Sequence, residues 1–210
     1  MNTNSHADRI DVTGLDILRG DRLLVEDVNF SMHGGDTLWV AGRNGIGKTS
    51  LLRCIAGLLR PAHGKVNWNG QDVHRHAPQG IAYQGHQDGH KPNLTAGENL
   101  AFWKTIYKSD SEISTVLDRV GLNDRAHVRA KGLSAGQSRR LALARLLLSG
   151  ARLWILDEPA AAMDVAGQDL IDNLIAEHVA EGGLAMIASH TPPRKIGKHS
   201  RVLTIGDVHG

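Results

Sequence analysis

The sequence predicts an α/β domain built on a mostly parallel sheet, with a helical subdomain inserted into it. Three observations predict this. Short apolar runs alternate with stretches of helical period. A glycine-rich loop stands between one such run and one such stretch. Residues 95–150 read as helix before the chain returns to an apolar run.

The elements follow in order. Residues 1–8 are polar and form a loose tail. Residues 23–41 are strand material, with Asn29-Phe30-Ser31-Met32 leading into a His33-Gly34-Gly35-Asp36 turn, and residues 37–41 have the short, mostly apolar character of a buried parallel strand. After the glycine-rich loop, Leu51, Leu52, Ile55, Leu58 and Leu59 recur at helical spacing, and Pro61 and Gly64 end that helix. Residues 65–70 form a short strand running into a turn. Residues 71–93 are loop around one strand, Ile81-Ala82-Tyr83. Thr95-Ala96-Gly97-Glu98 and Ser134-Ala135-Gly136-Gln137 both carry the capping-box spacing that starts helices. Residues 153–156 are a strongly apolar strand, about 165–180 a helix, 184–188 a strand and 202–205 a final edge strand. No internal repeat or low-complexity segment interrupts this order, so residues 1–210 read as a single domain, with the helical subdomain at about 95–150.

Composition narrows the function. Apolar residues make up 41%, enough for a core. The 24 Lys and Arg against 22 Asp and Glu leave a net charge of +2, which argues against an electrostatic nucleic-acid binder. Cys54 is the only cysteine, so no internal disulfide forms; flanked by Arg53 and Ile55 in an apolar helix, it reads as a small buried hydrophobe. No Cys-x-x-Cys-His is present to attach haem covalently. No apolar run approaches the ~20 residues that span a bilayer, and the densest, 141–148, contains Arg145. The expectation is a soluble, cytoplasmic chain that reaches a membrane only through a partner.

Gly42-Arg43-Asn44-Gly45-Ile46-Gly47-Lys48-Thr49 matches G-x-x-x-x-G-K-[ST] between a strand and a helix, followed by Ser50. Glycines let backbone N–H groups converge on phosphate oxygens, and the helix N-terminus adds its positive dipole end. Lys48 would reach the β- and γ-phosphates, and Thr49 would hold Mg²⁺. The 153–156 strand ends in Asp157-Glu158. Carboxylates at the end of a buried strand need work to do: Asp157 is placed to bind Mg²⁺, Glu158 to polarise an attacking water. Together the two motifs predict only a P-loop NTPase with Mg²⁺; ATP as the nucleotide comes with the subclass.

The subclass comes from Leu133-Ser134-Ala135-Gly136-Gln137, which lies 20 residues before Asp157. This pentapeptide resembles the signature of the ATP-binding-cassette ATPases, and Ser138-Arg139-Arg140-Leu141-Ala142-Leu143-Ala144-Arg145 continues the likeness. The resemblance implies a P-loop core with an antiparallel N-terminal β part, and a partner ATPase subunit, with each ATP between Lys48 of one copy and Ser134 and Gly136 of the other. It further implies roles for Gln87, seven residues before Leu94, in sensing Mg²⁺ and water (Gln84 is the alternative); for His190 as the switch histidine on the γ-phosphate; and for Asp164 as the D-loop aspartate. Two departures stand out. The D-loop serine and leucine are replaced by Ala161 and Met163. No aromatic lies near Leu18-Arg19-Gly20-Asp21-Arg22 to stack on adenine.

Within that family the wording Gly85-His86-Gln87-x-Gly89 and Leu153-Trp154-Ile155-Leu156-Asp157-Glu158-Pro159 is similar to the ATP-binding subunits of the haem exporters of cytochrome c maturation. That likeness implies a membrane permease, a peripheral place on the cytoplasmic face of the inner membrane and no direct haem binding. His63, His74, His76, His86 and His90 are then expected in a solvated polar loop. An exporter of another substrate, a soluble cassette protein acting on DNA or the ribosome, and a non-hydrolysing nucleotide-binding subunit are the alternatives. The last is opposed by the intact Glu158 and His190.

Overall fold

A computed structural model describes residues 8–76, 78–190 and 199–206. Almost all of the proposed tail lies outside them. Two sheets organise the chain. The first is antiparallel, in the order β2-β1-β4-β5, built from β1 (Arg9–Arg19), β2 (Arg22–His33), β4 (His63–Trp68) and β5 (Gln71–Asp72). The second is parallel, in the order β6-β7-β8-β3-β9, built from β3 (Asp36–Ala41), β6 (Ile81–Gln84), β7 (Leu153–Asp157), β8 (Leu184–Ala188) and β9 (His199–Thr204).

Alternate residues of the parallel strands point into two separate cores. Leu153 and Ile155 of β7, with Leu184 and Met186 of β8, pack beneath the antiparallel sheet and helix α1 (Lys48–Ile55). Trp154, Leu156, Ala185 and Ile187 face the opposite side, against α2 (Ala96–Tyr107), α3 (Ile113–Arg119), α4 (Ala135–Ser149) and α5 (Val165–Ala180). Both faces are covered, which is why these strands read as unbroken apolar runs. Truncating a residue such as Ile155, which is fully buried, would cost about 2–5 kcal/mol. The helical segment between β6 and β7 starts with a full capping box at Thr95 and Glu98. Its long helix α4 starts with a second at Ser134 and Gln137.

Strand β5, which pairs with β4 inside the stretch read as loop around one strand, and two further elements differ from expectation. Strand β1 was not foreseen. Ile10, Val12, Leu15 and Ile17 are its buried residues, and the pairing with β2 slips between Val12 and Leu15, so the period-2 pattern breaks in mid-strand. Helix α1 stops at Ile55 rather than continuing through Leu59. Gly57 takes φ 75°, its N–H donates to the Cys54 carbonyl, and Leu58 N–H donates to the Arg53 carbonyl at 2.8 Å. That is a Schellman cap, and glycine is the residue that enters it without strain. Leu58 is left 64% exposed.

The histidines also divide. His76 and His86 are exposed as expected, whereas His63, also exposed, opens strand β4 rather than lying in a loop. His74 is packed, its Nε2 2.9 Å from the Leu59 carbonyl, and His90 Nε2 lies 2.9 Å from the Ser138 carbonyl. Burial holds the His90 imidazole below the usual histidine range. Both are fastenings of the fold rather than solvated loop residues.

Candidate functional site

Strand β3 delivers the chain into the Gly42–Gly47 turn, and α1 begins at Lys48. Gly47, the N-cap, has φ 122°, and a Cβ there would sit 3.1 Å from Val25 Cγ2 and 3.3 Å from the Leu24 carbonyl, so both conformation and space call for glycine. The first backbone bond of the helix is Leu51 N–H to the Gly47 carbonyl at 2.9 Å. The N–H groups of Lys48, Thr49 and Ser50 therefore have no acceptor within the helix and stand at its positive end. Lys48 is buried, and its Nζ donates to the carbonyls of Gly42 (2.7 Å) and Arg43 (3.3 Å), which lays the ammonium along the loop.

Strand β7 carries the carboxylates to the same place because it lies one strand removed from β3, with β8 between them. Asp157 is buried, and its Oδ2 accepts from Thr49 Oγ1 at 2.8 Å and from the Tyr83 hydroxyl at 3.4 Å. Burial pushes the Tyr83 phenol up, so it stays protonated and able to donate. Glu158 leaves the strand with φ 51°, unusual for a non-glycine residue, and its N–H donates to the Ala188 carbonyl at 2.8 Å. Strand β8 ends beside it. Trp39 Nε1 donates to the Ser189 carbonyl at 3.1 Å, and the next residue, His190, places Nε2 3.5 Å from Glu158 Oε1.

A cavity of about 580 Å³ joins these groups. Asn44, Gly45, Gly47, Lys48, Thr49 and Ser50 line one side, and Asp157, Glu158 and His190 another. The remaining wall is aliphatic and cationic: Leu18, Leu24, Leu58 and Leu59 with Arg19 and Arg53. Among the described residues no Phe, Trp or Tyr lines it. Anion-binding N–H groups, a lysine, a hydroxyl–carboxylate pair and a carboxylate beside a histidine are the parts needed to hold a polyphosphate and act on a bond within it.

Gly42, Arg43 and Ile46 belong to the loop without lining the cavity. Gln87 is exposed and outside it; Gln84 is fully buried at the end of β6, and its Oε1 has no hydrogen-bond partner. Ser134, Gly136 and Gln137 open α4 away from the cavity, and exposed Asp164 caps α5 by accepting from Gly167 N–H at 2.8 Å. Sequence reasoning missed Tyr83, Leu58 and Arg139 as neighbours of the site. Arg139 had a readable signal, since Leu143 and Leu146 follow it at helical spacing and put it on the buried face of α4.

Two parts of the geometry bear on a bound Mg²⁺. Among the described residues no group of three or more His, Cys, Asp or Glu could hold a metal ion. Mg²⁺ needs no such cluster, because it is commonly held by one or two protein oxygens together with substrate phosphates and water. The Thr49 hydroxyl and Asp157 carboxylate, 2.8 Å apart, are oxygens of that type and fit it.

The family model described as "ABC transporter" matches residues 25–161. The chain is 45% identical over 192 residues to the cytochrome c biogenesis ATP-binding export protein CcmA of Bradyrhizobium diazoefficiens, covering 91% of this chain and 94% of that protein. It is 41% identical over 204 residues to the protein of the same name from Vibrio parahaemolyticus, covering 94% and 100%. A solved structure titled as a putative ABC transporter ATP-binding protein from Pyrococcus furiosus superposes with a TM-score of 0.82 at 24% identity, over 93% of this chain and 97% of that one, a likeness of fold. The chain belongs to the ATP-binding proteins of the ABC transporters, and within them to the CcmA family of cytochrome c biogenesis export proteins.

Proposed function

We propose that this chain, read as a single nucleotide-binding domain, binds ATP with Mg²⁺ in the cavity and hydrolyses it to drive a membrane permease in haem export or handling for cytochrome c maturation. The observation that carries the hydrolytic reading is the meeting of Lys48 and Thr49, at a helix N-terminus, with Asp157, Glu158 and His190 around one cavity. The haem assignment is supported by the names of the relatives.

Lys48 and the N–H groups of residues 45–50 hold the phosphates. Thr49 and Asp157 would hold Mg²⁺, which neutralises phosphate charge when bound. Glu158 orients and deprotonates the attacking water, and His190, 3.5 Å from its carboxylate, keeps that group aimed toward the γ-phosphate. Gln87 senses the metal and water from the neighbouring loop. Ser134, Gly136, Gln137 and Asp164 do not line their own chain's cavity, which supports a head-to-tail pair in which they close over the partner's ATP. No helix among the described residues is long and apolar enough to cross a membrane, so the path through the bilayer belongs to the permease. The chain then works as a peripheral subunit on the cytoplasmic face of the inner membrane, without binding haem itself.

The test is a strain lacking this subunit. It should lose covalent c-type cytochromes and keep b-type ones, and a Lys48→Ala copy should fail to restore them. Normal c-type cytochromes in that strain would overturn the haem assignment and favour an exporter of another substrate.

A further inference from the structure

We propose that Arg139 is a positioning residue that ties helix α4 both to the loop carrying Gln87 and to the main chain of Glu158, which lines its own chain's cavity. Arg139 is 4% exposed, and its guanidinium meets three acceptors in two chain segments. Nη1 donates to the Gly85 carbonyl at 3.0 Å and to Asp88 Oδ1 at 2.9 Å, and Nη2 donates to the Glu158 carbonyl at 3.1 Å. A buried guanidinium is retained only where its rigid fork of donors is matched by acceptors. Here the acceptors are the loop that carries Gln87 and the main chain of Glu158.

The Glu158 backbone is where such a tie matters. A left-handed φ on a non-glycine residue persists only when its surroundings hold it from several sides. The Glu158 N–H goes to Ala188, and its carbonyl accepts from Ala161 N–H at 3.1 Å and from Arg139. Of these anchors, Arg139 alone lies on α4, five residues beyond Ser134. A displacement of α4 as Ser134 closes over a partner's nucleotide would reach both Glu158 and the 85–88 loop through this side chain. Arg139 thereby links the state of one ATP site to the aim of the water-activating groups in the other. It touches no reacting atom.

This assignment rests on the proposed reading of Glu158 as the base, and its test separates the two. Steady-state hydrolysis, affinity for a fluorescent ATP analogue and thermal unfolding would be measured for the purified chain and for Arg139→Lys, Asp88→Asn and Glu158→Gln. Arg139→Lys keeps the charge and loses the fork; Asp88→Asn is the milder variant should Arg139→Lys fold poorly. Both should keep analogue affinity within about twofold and lose about 10- to 100-fold in kcat, the penalty of a misplaced catalytic group. A double variant combining Arg139→Lys with Asp88→Asn should lose little more than the worse single one, because both break one unit. Wild-type kcat in both single variants, with Glu158→Gln inactive, would overturn the positioning role. So would a parallel loss of analogue affinity and kcat, which marks a purely structural part. Wild-type turnover by Glu158→Gln would instead overturn the base and leave Arg139 with nothing to position.

Discussion

Thr49 Oγ1 and Asp157 Oδ2, 108 residues apart in sequence, meet at 2.8 Å. The helix that follows the glycine-rich loop and the strand that carries the carboxylates thus share one hydrogen bond at the proposed Mg²⁺ site. Asp157→Asn keeps the shape and removes the charge. The Mg²⁺ concentration for half-maximal ATP hydrolysis should rise by about tenfold or more. An unchanged Mg²⁺ titration would remove Asp157 from the metal site.

Lys48→Ala should weaken nucleotide binding as well as turnover. A charge-assisted hydrogen bond contributes about 1.5–3 kcal/mol, or roughly 10- to 100-fold in affinity. Titration with a fluorescent ATP analogue measures it, and unchanged affinity would mean the 42–49 loop does not cradle phosphate.

For Ser134 the observed capping role and the proposed contact with a partner's ATP can be separated. As N-cap of α4 it accepts from Gln137 N–H at 3.2 Å, so Ser134→Ala should lower stability by about 1 kcal/mol in a denaturant titration. If it also meets the partner's ATP, turnover should fall by more than about tenfold at a denaturant concentration where the fold is intact. A stability loss with normal turnover would leave capping as its only role.

Among the described residues the cavity wall beside the loop is made of Leu18, Leu24, Leu58, Leu59, Arg19 and Arg53, with no Phe, Trp or Tyr to stack on a base. Base–aromatic stacking is worth about 1–3 kcal/mol where it occurs. Without it GTP should compete with the ATP analogue within about threefold of ATP. A strong preference for ATP would show that the aliphatic wall reads the purine.

Burial pushes the Cys54 thiol up to about 12. The folded state holds this proton more tightly than the unfolded chain does, so the thiol's contribution is fully present below the unfolded value near 8.5 and is lost as pH rises toward 12. Cys54 should resist a disulfide reagent at pH 8 in the native chain and react at once in denaturant. Fast native labelling would place the thiol at the surface.

Much of this was legible in the sequence for physical reasons. The strand over 153–156 and the one over 184–188 are buried on both faces, so their apolar runs were unbroken, and the glycine loop and both capping boxes have fixed local spacing. Strand β1 was hidden by the slip between Val12 and Leu15, and the end of α1 by Leu58 and Leu59, which keep helical period after Gly57 has turned the chain. The contacts of Arg139 with Gly85, Asp88 and Glu158 are tertiary and had no local signature beyond the helical spacing.

The most direct test of the central claim is Glu158→Gln, assayed for phosphate release and for its size on a gel-filtration column with Mg-ATP. Loss of a positioned general base costs about 10²–10⁴ in rate, so the variant should bind ATP, release almost no phosphate and elute as an ATP-bound dimer. Phosphate release at the wild-type rate would contradict the assignment of this cavity as a hydrolytic site based on Glu158.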